Sequence, residues 1–109
     1  MRALTCMICA VTLISAFTPL QGADTVRLCT YNVLNFSASN EDGRTPQYAL
    51  IMDAIRPDIL VCQEVADASM GPLFVVDVLT YAPFAATPFL NGRDTDLQLF
   101  YDQTKFDFI

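Results

Sequence analysis

Between residues 24 and 57 the pattern of hydrophobic and polar positions is first typical of a strand, then of a loop and then of a helix. Val26 to Val33 is rich in β-branched and aromatic residues, which predicts a strand. Asn35 to Arg44 is polar and contains the turn residues Asp42 and Gly43, so it predicts an exposed loop.

A helix is predicted to follow this loop. Thr45 is a good N-cap residue, and Pro46 suits the first helical position, where a missing N–H costs nothing. Pro57 predicts the end of the helix, because proline disfavours the α conformation in the residue before it. Apolar residues at helical spacing define the face expected to pack inward: Tyr48, Ile51, Met52 and Ile55.

A second strand is predicted from Ile59 to Val65. Its first four residues are all apolar, which is typical of a strand buried on both faces, as in a parallel sheet. Strand, helix and strand form a βαβ unit with an expected right-handed crossover. The carboxyl ends of its two strands are therefore the expected place for functional side chains.

The remaining segments predict a helix and three shorter strands. Leu73 to Tyr81 has strand-like propensity, but a covering element is needed before the next strand, so we favour a helix. Ala82 to Leu90 contains two prolines and predicts a short or edge strand. Asp96 to Tyr101 and Lys105 to Ile109 predict a hairpin joined at residues 102–104.

The first 23 residues predict a secretory signal peptide. Arg2 precedes an uncharged apolar run from Ala3 to Phe17, and the segment ends in small residues. The run is shorter than the ~20 residues that a membrane-spanning helix needs, although an uncleaved anchor is an alternative. We expect cleavage after Gly22 or Ala23, export to the periplasm or the medium, and no membrane span in the mature chain.

Composition excludes several classes of function. With 53% hydrophobic and 17% charged residues, the chain is too apolar to be disordered. It has no histidine, so a histidine-based triad and a Cys-His zinc site are excluded within these 109 residues. Loss of residues 1–23 leaves five basic and twelve acidic residues, a net charge of −7, which excludes a basic nucleic-acid-binding arm.

The four cysteines predict no disulfide in the mature chain. Cys6 and Cys9 have CxxC spacing, but they lie in the apolar leader, so a redox protein is only a remote reading. Counted from the ends of their strands, Cys29 and Cys62 are expected to point to opposite faces of the sheet. We therefore predict two buried free thiols.

The candidate chemistry lies at the ends of the first two strands. Asn32 closes one strand and Glu64 the other, and a carboxylate after an apolar run is costly to bury without a cation or hydrogen-bond partners. A carboxylate is a ligand that Mg²⁺ prefers, and an amide can donate to a phosphate oxygen. The alternative is structural: Glu64 caps a turn and Asn32 satisfies loop backbone.

Two segments together resemble the opening of the endonuclease/exonuclease/phosphatase (DNase I-like) family. They are Arg27 to Asn35, a strand ending in an asparagine, and Arg56 to Val65, with its Pro-Asp-Ile-Leu-Val-Cys-Gln-Glu sequence. The segments around Asp94 to Asp96 and Leu99 to Phe106 also resemble the family's next region. The resemblance implies an α/β fold, the N-terminal part of a four-layered α/β sandwich, in residues 24–109.

The resemblance also implies roles for the strand-end residues. Glu64 would be a metal ligand, and Asn32 would act catalytically beside the metal and the scissile phosphate, whereas Gln63 would be structural. The implied cofactor is Mg²⁺, with Mn²⁺ as an alternative. The implied partner is a phosphate-ester substrate, with nucleic acid among the candidates.

The chain departs from the family where the rest of the site is expected. The family's Asp–Asn pair, second metal-binding aspartate and histidines belong to later segments that have no counterpart here, and Leu97 stands where relatives often carry a polar residue. We therefore expect an N-terminal fragment that is inactive by itself. The alternative is a small secreted binding or structural protein that retains the strand pattern without the chemistry.

Overall fold

The chain forms a mixed α/β fold with one four-stranded sheet. The computed structural model describes residues 24–94 and 96–109, so the predicted signal peptide lies outside the described residues. In chain order the elements are β1 (Leu28–Phe36), α1 (Thr45–Ile55), β2 (Ile59–Val65), α2 (Met70–Leu73) with a π-helical continuation (Phe74–Val78), β3 (Phe84–Ala86) and β4 (Asp96–Asp102). None of the helices in this part of the chain has the length and apolarity needed to cross a membrane.

The sheet has the strand order β1-β2-β4-β3. β1 and β2 are parallel and are connected through α1, as predicted, whereas β4 runs antiparallel to both of its neighbours. β3 is the predicted short edge strand.

The predicted hairpin after β4 is wrong. Residues 106–109 form no strand, because β2 and β3 already occupy both edges of β4 and leave no position beside it. Asp102 instead closes a turn, since its Oδ1 accepts hydrogen bonds from the Thr104 N–H at 2.8 Å and the Thr104 hydroxyl at 2.7 Å.

Helix α1 begins and ends close to the predicted positions, but its cap differs. Arg44, not Thr45, occupies the N-cap position, and it makes no capping hydrogen bond with its side chain. Thr45 is already helical, and its hydroxyl donates to Glu41 Oε2 at 2.7 Å. The helix stops at Arg56, which is left-handed with φ 50°, immediately before Pro57.

The core lies between the helices and one face of the sheet. Four aromatic rings meet there, with centroids of neighbouring rings 5.1 to 5.6 Å apart: Phe36, Tyr48, Phe74 and Phe100. The opposite face is more open, with Leu28 64% and Leu97 62% exposed. The prediction that β2 is buried on both faces is therefore wrong, since its fully buried residues are those beneath the helices.

The predicted second helix is confirmed but begins earlier and ends sooner. It starts at Met70, and its last turn widens so that the Leu79 N–H bonds the carbonyl of Phe74, five residues back, at 2.8 Å. This widened turn holds Phe74 and Val78 in the core.

Both cysteines of the described chain are free thiols, as predicted, but Cys29 is only partly buried, and the two side chains do not have the predicted directions. Tyr31 stands opposite Cys62 in the β1–β2 register, and Cys29 lies two residues before Tyr31. Side chains two apart share a face, so the cysteines lie on the same face of the sheet, not on opposite faces. The predicted register was displaced by one residue because β2 is irregular at its carboxyl end.

Candidate functional site

An irregularity at the end of β2 brings the two candidate residues together. The regular register pairs Asn32 with Gln63, which leaves Glu64 one position beyond its expected partner. Glu64 has a left-handed backbone, with φ 55°, in a stretch where the pairing shifts against both neighbouring strands. The outcome is a direct hydrogen bond, in which Asn32 Nδ2 donates to Glu64 Oε1 at 2.8 Å.

The amide oxygen of Asn32 is held by the backbone that follows it. Oδ1 accepts the N–H of Leu34 at 2.8 Å. Leu34 and Asn35 are both left-handed, with φ 53° and 52°. This conformation costs a residue such as Leu34 about 1 kcal/mol or more, so the surrounding structure must hold it in place.

Arg44 and Tyr48 supply that support. The Arg44 Nη1 donates to the carbonyls of Val33 and Leu34, each at 3.1 Å, and the Tyr48 hydroxyl donates to the Val33 carbonyl at 3.0 Å. Burial raises the pKa of Tyr48, which keeps its hydroxyl protonated as a donor. The guanidinium also stacks on Phe36, with its carbon 5.0 Å from the ring centroid.

The loop after β1 is more ordered than its composition predicts. Asn40 Nδ2 donates to the carbonyl of Asn35, and Asn40 Oδ1 accepts the N–H of Ser37, both at 2.7 Å. Ser37 is buried, so the loop begins inside the structure and is not exposed throughout as predicted. A single asparagine thus closes the turn that follows Asn32.

A second polar group lies just past β2. Asp67 Oδ1 accepts the N–H of Ser69 at 2.8 Å and a hydrogen bond from its hydroxyl, which together lower the pKa of the Asp67 carboxyl. The Ser69 oxygen accepts the N–H of Ala38 at 2.9 Å, which ties this turn to the loop after β1.

Asp96 lies on the other side of β2, opposite Val65 in the register. Its Oδ1 accepts the N–H of Gly92 at 2.7 Å, whereas Oδ2 is buried with no hydrogen-bond partner among the described residues. Leu97, the position noted as a departure from the family pattern, is exposed.

A carboxylate such as that of Glu64 is the kind of ligand that a hard cation prefers. The hydrogen bond from Asn32 uses one oxygen of the half-buried Glu64 carboxylate. Within residues 24–94 and 96–109, no group of three or more acidic, cysteine or histidine side chains converges on one point. Mg²⁺ commonly binds through one or two carboxylates plus waters and phosphate oxygens, so Glu64 fits such an ion as a single protein ligand, not as part of a closed cage.

Arg44, Tyr48 and Asn40 are the parts of this arrangement that the sequence did not reveal. Loop composition gives no direction for a side chain, and the only signal was one arginine directly before the helix start.

Compared with protein-family models, curated proteins and solved structures, the chain shows no match.

Proposed function

We propose that this chain is the N-terminal part of an exported, Mg²⁺-dependent phosphoesterase of the endonuclease/exonuclease/phosphatase type, with nuclease-like phosphodiester hydrolysis as the preferred reaction. The completed domain would be a four-layered α/β sandwich. The observation that carries the proposal is the hydrogen bond between Asn32 and Glu64, at the place where the regular pairing of the parallel strands β1 and β2 stops. The resemblance of both segments to the family supports the same reading.

Each residue has a defined role in this proposal. Glu64 offers carboxylate oxygens to a divalent cation, and Asn32 orients that carboxylate through Nδ2. If Glu64 turns toward a cation, the same Nδ2 becomes free to donate to a phosphate oxygen. A bound Mg²⁺ would polarise the phosphoryl group and neutralise charge that develops during hydrolysis.

Divalent-cation binding tests the proposal without requiring turnover. We would titrate the purified full chain with Mn²⁺ and follow free Mn²⁺ by electron paramagnetic resonance, with Mg²⁺ competition to show a shared site. We expect weak, Mg²⁺-competed binding that Glu64→Gln abolishes. Glu41→Gln is the matched control. Glu41 is another glutamate, within the loop after β1, and its carboxylate accepts a hydrogen bond from Thr45. Wild-type binding equal to that of Glu64→Gln would refute the proposal.

One observation favours a second candidate, a small binding or structural protein without catalysis. Both polar atoms of the Asn32 amide already have partners inside the protein, as a purely structural asparagine would. In that case the chain would show no Glu64-dependent cation binding, and Asn32→Ala would change stability alone. The Mn²⁺ titration therefore separates the two functions.

A further inference from the structure

We infer that Arg44 is a positioning residue that sets the orientation of the Asn32 amide through the left-handed turn at Leu34. The Arg44 side chain donates no hydrogen bond to Asn32 or Glu64. It binds the carbonyls of Val33 and Leu34, which follow Asn32 in the chain, and carbonyls of the loop after β1.

The first step of the inference is the direction of the Leu34 peptide groups. A left-handed leucine is rare, and its carbonyl does not continue the pairing with β2. Arg44 Nη1 binds the Leu34 carbonyl and the preceding Val33 carbonyl, each at 3.1 Å. Arg44 Nη1 therefore holds both the carbonyl before the Leu34 N–H and the carbonyl after it.

The second step is the transfer from Leu34 to Asn32. The Leu34 N–H donates to Asn32 Oδ1 at 2.8 Å, which fixes which end of the amide faces the backbone. Nδ2 is then the end that faces Glu64, at 2.8 Å from Oε1. An amide turned the other way would present oxygen to oxygen at Glu64 and N–H₂ to N–H at Leu34.

The third step is the anchoring of Arg44 itself. Nη2 donates to the Asn40 carbonyl at 2.9 Å and Nε to the Glu41 carbonyl at 3.2 Å, while the guanidinium plane rests on Phe36. All of its carbonyl partners are backbone groups, so the fork geometry of the guanidinium matters more than its charge. Lysine, which lacks that fork, is expected to replace it poorly.

The test measures amide hydrogen exchange in the full chain by NMR. In Arg44→Gln and Arg44→Lys we expect the Leu34 amide to exchange about tenfold faster, as the loss of one net hydrogen bond predicts. The Asp102 amide, which donates to the Asp58 carbonyl at the other end of the sheet at 2.9 Å, should change by less than twofold. Arg56→Gln is the matched control, since Arg56 also stacks on an aromatic ring but lies before the amino end of β2, opposite to the end that holds Glu64.

Two outcomes would overturn the positioning role of Arg44, and a third would overturn the argument from its fork geometry. One is unchanged exchange at Leu34 in Arg44→Gln. The other is equal acceleration at Leu34 and Asp102, which would show general destabilisation only. If the Leu34 amide exchanged as slowly in Arg44→Lys as in the wild type, the fork argument would be refuted, because a positive charge alone would then hold the turn.

The consequence for cation binding rests on the proposed function and is measured separately. If Glu64 binds Mn²⁺, Arg44→Gln should weaken that binding about tenfold, the size of effect typical when a group that orients a ligand is lost. Absence of Mn²⁺ binding in the wild type would refute the proposed function, whereas the exchange of the Leu34 amide would still decide the role of Arg44.

Discussion

Asn32, the last residue of β1 in regular register with β2, donates a 2.8 Å hydrogen bond to Glu64 near the end of β2, although the two residues are not register partners. The contact exists because the backbone of Glu64 is left-handed and turns its side chain toward β1. The strand ends are thereby fixed to each other by side chains where the regular backbone pairing stops.

Removal of the Asn32 amide should destabilise this end of the sheet. Asn32→Ala removes the acceptor of the Leu34 N–H and the donor to Glu64, and we expect the free energy of unfolding to fall by about 1 kcal/mol, because the bonds are solvent-accessible. Urea denaturation followed by circular dichroism gives this quantity. Asn91→Ala, at an exposed position outside any helix, strand or turn, should change it by less than about 0.5 kcal/mol. An equal effect of both substitutions would contradict the prediction.

Phe74 should be among the most costly core positions to truncate. Its ring contacts Phe36, Tyr48 and Phe100, and it is fully buried. Phe74→Ala is expected to lower the free energy of unfolding by about 3–5 kcal/mol through lost burial and a cavity. Val76→Ala, on the exposed side of the same segment, should cost under about 0.5 kcal/mol.

A chain as small as this one can fail to fold with Phe74→Ala. Phe74→Leu then decides the question, since a smaller volume change should leave a folded protein with a clearly lower urea midpoint. A midpoint equal to that of the wild type would place Phe74 outside the core.

The two thiols of the sheet should differ in reactivity. Burial raises the pKa of both, far more for Cys62, which is fully buried, than for the partly accessible Cys29. Because the thiolate is the reactive form, iodoacetamide at pH 8 should modify Cys29 slowly and Cys62 only after unfolding. Peptide mapping by mass spectrometry after timed alkylation measures each site. Equal labelling rates, or a Cys29–Cys62 disulfide in the mapped peptides, would contradict the structure.

Acid should weaken the contact between the two ends of the described chain through Asp58. Lys105 Nζ donates to its Oδ1 at 2.8 Å and the Arg27 N–H to its Oδ2 at 2.7 Å, which lowers the pKa of Asp58, with the lysine hydrogen bond as the first cause. A lowered folded-state pKa means that this stabilisation is complete above the unfolded carboxyl pKa of about 3.9. It is lost as the pH falls through the lower folded value.

Acid denaturation of matched variants tests this linkage. Asp58→Asn should be less stable than the wild type at pH 7 and should lose less stability on acidification, as measured by urea midpoints from about pH 6 down to pH 2. Asp53→Asn, which removes only the exposed pair with Arg56, is expected to follow the wild type. Parallel curves for Asp58→Asn and the wild type would contradict the prediction.

The sequence predicted the β1–α1–β2 unit because each signal in it is local. Pro46 and Pro57 bracket the helix, and the apolar residues between them keep a helical period. The proximity of Asn32 and Glu64 was predicted from two parallel strands that end at one edge, although β1 does not end at Asn32 and continues to Phe36. These features need no knowledge of distant contacts.

The parts that failed depend on the rest of the fold. Lys105 to Ile109 has a strand-forming composition, but it cannot form the predicted hairpin with β4, because β2 and β3 already flank β4, and strand order is a property of the whole sheet. The left-handed backbone at Glu64 has no glycine or asparagine to signal it, so the register was displaced and the faces of the cysteines were misassigned. The direction of Arg44 depends on carbonyls that only the folded turn exposes.

The left-handed backbone at Glu64 has an evolutionary consequence. Glycine and asparagine adopt that conformation at lower cost than glutamate, so neutral drift at this position would lead toward them. A glutamate that persists there is therefore retained for its carboxylate, either for the hydrogen bond from Asn32 or for the proposed cation.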